Sequence, residues 1–132
     1  MFRKSVGVLL VLACLSLIGC GKKDDEVNAF MNDLNTFTDE LVKKVEAGPT
    51  PSAGADEAQK YFDSRKADIQ EKLNSVKKIG ENQVSEETKK KMTDGLYNNG
   101  MKIGKLSAKY SADPTAGPKV QKITQDYMAL LR

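Results

Sequence analysis

The sequence contains no histidine and no tryptophan, and it has only two cysteines. Histidine is the commonest general base and metal ligand, so its absence removes the usual Ser-His and Cys-His nucleophiles and His-ligated metals. Cys14 lies inside the apolar run near the N-terminus, so the rest of the chain lacks the two thiols that a disulfide needs. These absences indicate no catalytic residue, no metal site and no cofactor.

Methionine is the remaining soft ligand, at Met31, Met92, Met101 and Met128. Three of these residues fall on or near apolar helical stripes, which favours packing in a core over metal binding.

An excess of one charge is also lacking once the N-terminus is set aside. The first nineteen residues hold Arg3 and Lys4 and no acid, so residues 20–132 carry 19 basic and 18 acidic side chains. Nucleic-acid binding depends on a basic excess that neutralises phosphates, and this balance argues against it. The length and composition favour one small soluble domain after the N-terminal segment.

The only long hydrophobic run extends from Val6 to Ile18, after the basic segment Met1 to Lys4. It has thirteen residues, whereas a helix that spans a bilayer needs about 20. A basic start, a short apolar run and a small residue at position 19 are typical of a secretion signal.

The residues Leu17-Ile18-Gly19-Cys20 resemble the lipobox of bacterial lipoproteins. The resemblance implies that residues 1–19 are removed and that acyl chains are attached at Cys20, with the lipid bilayer as a partner. Gly21 stands where an aspartate would resemble an inner-membrane retention signal. The expected location is therefore the cell envelope, at the outer membrane facing the periplasm if the organism is Gram-negative. An uncleaved anchor, or an ordinary signal with a chance cysteine, is the alternative.

After a short tether at residues 20–25, the rest of the chain, residues 26–132, shows apolar residues spaced three and four apart, which predicts amphipathic helices. The four stripes are Val27, Phe30, Met31, Leu34, Phe37, Leu41 and Val45; Ala58, Phe62, Ile69, Leu73, Val76 and Ile79; Met92, Leu96, Ile103, Leu106 and Tyr110; and Val120, Ile123, Tyr127, Leu130 and Leu131. No strand-like alternation occurs. The predicted fold class is all-α, a small antiparallel four-helix bundle.

Turn and cap residues predict the helix ends. Residues 48–55 are expected to form a connector, with Asp56 as the N-cap of the second helix and Gly80 as its C-cap. Ser85 is expected to cap the third helix, and Pro118 fits the start of the fourth. Residues 20–47 are acidic and residues 114–132 are basic, which favours a first helix that lies beside the last.

The third helix carries Gly95, Gly100 and Gly104, although glycine costs about 1 kcal/mol per helical position relative to alanine. On a helical wheel Gly100, Gly104 and Ala108 form a strip of small side chains, with Thr93, Ser107 and Ser111. The favoured hypothesis is that another helix of the bundle approaches this strip, whereas Gly95 faces solvent. An external partner or ligand groove, and a turn at Asn98-Asn99-Gly100, are the alternatives.

Lys89, Lys90 and Lys91 form the strongest basic cluster, followed on the same helix by Lys102, Lys105 and Lys109. A contact with lipid head groups or an anionic cell-wall polymer is possible here. A solvated helix face is the favoured interpretation, because charged runs on helices commonly face water.

These observations predict a membrane-anchored cell-envelope lipoprotein whose helical domain is a binding or structural module for an envelope protein. The alternative is a periplasmic bundle that holds a small apolar or anionic ligand in a stress-sensing or envelope-sensing role. A ligand carrier needs a cavity of at least about 300 Å³, whereas a partner-binding module needs an exposed patch with aromatic residues or methionine.

Overall fold

The computed structural model describes residues 22–132, which fold into four α-helices and no strand. The helices are α1 (Asp24–Ala47), α2 (Pro51–Lys77), α3 (Glu86–Tyr110) and α4 (Ala116–Leu130), and a 3-10 helix (Glu81–Gln83) lies between α2 and α3. The predicted all-α four-helix bundle is thus confirmed. The signal segment, the lipobox and Cys20 lie outside the described residues. None of the helices within residues 22–132 is long and apolar enough to cross a membrane.

Consecutive helices run in opposite directions, but the order around the bundle differs from the order along the chain. α1 packs against α2 and α3, and α4 packs against the same two helices. α1 and α3 are parallel, since Asp39 pairs with Lys102 and Glu46 with Lys109, both 63 residues apart. The expectation that the first helix lies beside the last is wrong: α1 and α4 are diagonal because each packs its apolar stripe between α2 and α3. The acidic side chains of α1 accordingly pair with lysines of α2 and α3.

The apolar stripes form one core at the centre of the four helices. All seven stripe residues of α1 are buried, and so are the stripe residues of α2 up to Val76 and those of α4 up to Leu130. Phe37 lies at the middle of this core, with ring centroids 5.6 Å from Phe62 and 6.1 Å from Tyr127. Met92, Leu96 and Tyr110 of α3 are only half-buried and pack against the edge of the core.

The turn between α1 and α2 is shorter than predicted. α2 begins at Pro51 and not after Asp56, because Thr50 Oγ1 accepts a hydrogen bond from the Ala53 amide and Pro51 occupies the first helical position. The first turn of α2 lies directly on the end of α1. A Cβ at Gly54 would be 2.3 Å from the Val45 carbonyl oxygen, so only glycine fits this contact without a shift of the backbone.

One end of the bundle contains the N-termini of α1 and α3 and the C-termini of α2 and α4. The Lys23 amide donates to the Gln83 carbonyl, and Asp24 Oδ1 accepts from the Ser85 amide at 2.8 Å. Ser85 caps α3 as predicted, with its Oγ accepting from the Thr88 amide. Gly80 is not the C-cap of α2, because that helix ends at Lys77 and Gly80 instead precedes the 3-10 helix. We refer to this end as the anchor end, because Lys23 is three residues after Cys20, where the sequence predicts acylation.

Candidate partner-binding face

The strip of small residues on α3 is not closely approached by another helix, contrary to expectation, and only its Gly100 end borders α4. Gly104 and Ala108 are exposed, and a Cβ at Gly104 would have no atom within 4 Å. A Cβ at Gly100 would make an ordinary contact of 3.9 Å with Cε of Met128 on α4. The hypothesis of a close helix approach within the bundle is therefore wrong, since the strip lies on the outer side of α3, beyond the line along which α4 packs.

Gly95 is the glycine of α3 that does meet a neighbouring helix. It is half-buried, and a Cβ there would lie 2.5 Å from Cε of Met31 on α1. The expectation that Gly95 faces solvent is wrong, because α1 packs on this flank of α3. The close atom is the flexible end of a methionine, so a small side chain at position 95 displaces a side chain and not a backbone.

α3 is continuous through Asn98-Asn99-Gly100, as the phase of its stripe predicted. The amide of Asn99 is buried and donates from Nδ2 to Asn35 Oδ1 over 2.7 Å, which joins α3 to α1. Asn99 is a polar residue in the middle of the apolar stripe, and in the sequence it belonged to the alternative of a turn at Asn98-Asn99-Gly100. Its spacing of four residues from Ile103 was the signal that it belongs to the buried side of the helix.

The α4-facing part of the outer side of α3 and the adjoining side of α4 form a surface without a charged residue, which we call the uncharged face. The exposed Lys105 borders this face beside Met101. Its members are exposed or half-buried: Tyr97, Gly100, Met101, Gly104, Ser107, Ala108 and Ser111 on α3, and Gln121, Thr124, Gln125 and Met128 on α4. Tyr97, Met101 and Met128 are 67%, 44% and 40% exposed, and they are the large hydrophobic side chains that residues 22–132 expose most. The expected core packing of the methionines therefore holds for Met31 and not for Met128, which lies on the solvent side of α4.

The lysine run of α3 is neutralised by acids of the same helix. Lys89 pairs with Glu86, Lys90 with Asp94 at 2.7 Å, and Lys91 with Glu87 at 2.6 Å. Further along the helix, Lys102 and Lys109 pair with acids of α1. This balance favours the interpretation of a solvated face over a contact with an anionic polymer.

Two polar groups at the centre of the core, on α1 and α4, are hydrogen-bonded to each other. The Tyr127 hydroxyl and Thr38 Oγ1 are 2.6 Å apart, and Thr38 also donates to the Leu34 carbonyl. Burial raises the pKa of Tyr127 to about 12, although the hydrogen bond with Thr38 acts in the opposite direction. Within residues 22–132 no group of three or more Asp, Glu, Cys or His side chains is arranged to hold a metal ion.

A cleft of about 410 Å³ lies at the anchor end, between the starts of α1 and α3 and the end of α2. Its apolar lining comes from Val27, Val76, Ile79, Val84 and Met92, and the polar side chains that line it are Lys77, Glu81, Lys89 and Thr93. The volume lies in the range of small-molecule sites.

Comparisons with family models, with curated proteins and with solved structures give no match to this chain.

Proposed function

We propose that this protein is a cell-envelope lipoprotein, anchored through acylated Cys20, whose four-helix bundle is a binding or structural module for an envelope partner. The observation that carries the binding role is the uncharged face. Interface cores are depleted of charged residues and enriched in tyrosine and methionine, which is the composition of this surface. Exposed apolar patches on small domains commonly mark such contacts.

The lipobox resemblance supports the lipid anchor. The position of α1 determines how far the bundle can lie from that anchor. α1 begins at Asp24, four residues after Cys20, and four extended residues reach at most about 14 Å. The anchor end of the bundle would therefore lie against the lipid surface. The uncharged face runs along the side of the bundle, so it would remain accessible to other proteins in the envelope. Attachment to the outer membrane, facing the periplasm, follows from Gly21 in a Gram-negative cell.

Cys20→Ser should abolish labelling by a fatty-acid probe and block removal of the N-terminal segment, because the thiol is both the acylation site and part of the processing motif. The protein is expressed in full length in a bacterium, fed with an alkyne fatty acid, and examined by gel fluorescence and mass. The matched control is Cys14→Ser, which changes the other thiol and should be labelled and processed like the wild type. Equal labelling of the wild type and Cys20→Ser would refute the anchor.

The cleft at the anchor end favours a second candidate function, the binding of a small amphiphile with an apolar chain and an anionic group. The half-buried Ile79 side chain lines the cleft, and Lys77, whose Nζ donates to the Arg132 carbonyl, provides a cation there together with the carboxylate of Glu81. A dansyl-labelled fatty acid should bind residues 22–132 saturably, and Ile79→Gln should weaken binding at least tenfold because it places an amide in the apolar lining. Tyr97→Gln, on the uncharged face, should bind the probe like the wild type. A linear, non-saturating fluorescence increase with the wild type would eliminate this function.

A further inference from the structure

We propose that the uncharged face is a contact between two copies of this chain on the same membrane surface. The two copies are related by a two-fold axis parallel to the bundle axis, with Gly104 near that axis. The inference rests on the proposed lipid anchor, which holds both copies by the same end and therefore in the same orientation.

The absence of charge on this face restricts the surface that can cover it. The members of the uncharged face lie on two adjacent helices, whereas α1 and α2 carry acids and lysines along their exposed sides. A partner that covers this face must itself be uncharged, because a charge buried there would find no counterion. The face satisfies this condition with a second copy of itself, and a two-fold contact uses the same surface on both partners.

The shape of the face also fits a parallel two-fold contact. Gly100, Gly104 and Ala108 are spaced four residues apart and form its low central strip. Small residues at this spacing let two helix backbones approach closely, as in paired membrane helices. Because Gly104 has open space before it, the position can accept an approaching backbone of α3 from a second copy.

Met128 and Met101 lie on the two flanks of this strip, whereas Tyr97 lies in line with Gly104, two turns earlier on α3. A Cβ at Gly100 would be 3.9 Å from Cε of Met128 on α4, and Met101, on the side of α3 towards α1, lines a groove with Asp39. In two copies related by a two-fold axis parallel to the bundle, the α4 side of the face in one copy lies opposite the α3 side of the face in the other. Met128 of one copy therefore meets the Met101 flank of the other. An antiparallel arrangement would lose this match, since it would set Met128 against the far, small-residue half of the strip.

The size of the face indicates a weak dimer that depends on the membrane. Residues 97–111 of α3 extend about 21 Å, and two helices are about 20 Å wide, so each copy buries about 400 Å². Stable complexes bury about 800 Å² on each partner. Confinement of both copies to one lipid surface raises their effective concentration, and this compensates for the small area.

The test is disulfide crosslinking of the full chain in its native membranes. Gly104→Cys adds one thiol at the centre of the face, while Cys20 is blocked by its lipid. Mild oxidation should give a species of twice the protomer mass, at least tenfold more abundant than with Ala67→Cys. Ala67 is a matched small, exposed residue on the outer side of α2. Adding Met128→Lys to Gly104→Cys should reduce the dimer at least tenfold, because each copy would then bury a lysine.

Fatty-acid labelling of the same membranes separates failure of the dimer from failure of the anchor. Labelled protein without the Gly104→Cys dimer, or with equal dimer from Ala67→Cys, would overturn the dimer and leave the lipoprotein proposal standing. A crosslink from Gly104→Cys to a protein of another mass would overturn it as well, and would assign the face to a different partner. Unlabelled protein would overturn both proposals.

Discussion

Gly54→Ala is expected to destabilise the isolated bundle by about 3 kcal/mol, the upper part of the range for overpacked sites. The added Cβ would lie 2.3 Å from the Val45 carbonyl oxygen and 2.7 Å from that of Lys44. Both atoms belong to the backbone of α1, so the clash is relieved only if the first turn of α2 moves away from the end of α1. For a domain of this size the melting temperature should fall by about 12 °C, which thermal denaturation followed by circular dichroism would measure.

Gly104→Ala is the matched control, with the same change in the middle of an exposed helix. No atom lies within 4 Å of the new Cβ, so only helix propensity changes, by about 1 kcal/mol in favour of the folded state. The melting temperature of residues 22–132 should therefore rise by about 4 °C. If Gly54→Ala melted at the wild-type temperature, the close approach of α2 to α1 would not be a constraint on the fold.

The contrast between these glycines shows that a helical wheel predicts the side of a helix on which a residue lies, but not the element that packs against it. The wheel correctly placed Gly100, Gly104 and Ala108 on one strip of α3. It could not say which neighbour the strip meets, because that depends on which two helices flank α3. Gly95 and Gly54 show the same limit: one gives room to a methionine of α1 and the other to a backbone of α1, and neither contact can be read from one helix alone.

Helix number and the buried sides were predictable, because each helix buries a continuous stripe with a period near 3.6 residues. The start of α2 was predictable in principle, since Thr50-Pro51 is a cap followed by a favoured first helical residue. Ser52 to Ala55 instead suggested a loop by composition. The arrangement with α1 diagonal to α4 was not predictable from segment charges, because exposed ion pairs such as Asp39 with Lys102 contribute too little free energy to decide which helices are neighbours.

Only the α3 part of the uncharged face could be predicted from the sequence. Its α3 half was found through the cost of its glycines. Its α4 half, which includes Met128 and Gln125, carries no unusual residue and gains meaning only when α4 lies beside α3. Lys90 and Lys91 were singled out in the sequence, but their charges are balanced by acids one helical turn away.

The folded domain is expected to lose stability steeply above pH 10 because of Tyr127. Its side chain is fully buried and its pKa is raised to about 12 in the folded state, against about 10 in an unfolded chain. The stability that this group contributes is therefore complete below pH 10 and is lost as the pH rises towards 12. At 1.36 kcal/mol per pH unit, the loss from this one group is about 2 kcal/mol between pH 9 and pH 11.5.

Urea unfolding of residues 22–132 at pH 9 and pH 11.5 would measure this loss. Tyr127→Phe should lose about 2 kcal/mol less than the wild type over this interval, because it cannot form a buried phenolate. At pH 7 the same variant should be less stable by about 1 kcal/mol, since the hydrogen bond with Thr38 is absent.

Tyr97→Phe, which changes an exposed tyrosine, is the control and should keep the full wild-type loss of stability. Lysine ion pairs that also weaken in this range are common to all three proteins and cancel in the comparison. An equal alkaline loss in wild type and Tyr127→Phe would contradict this prediction. It would mean that the Tyr127 hydroxyl reaches water in the folded domain and is not buried against Thr38.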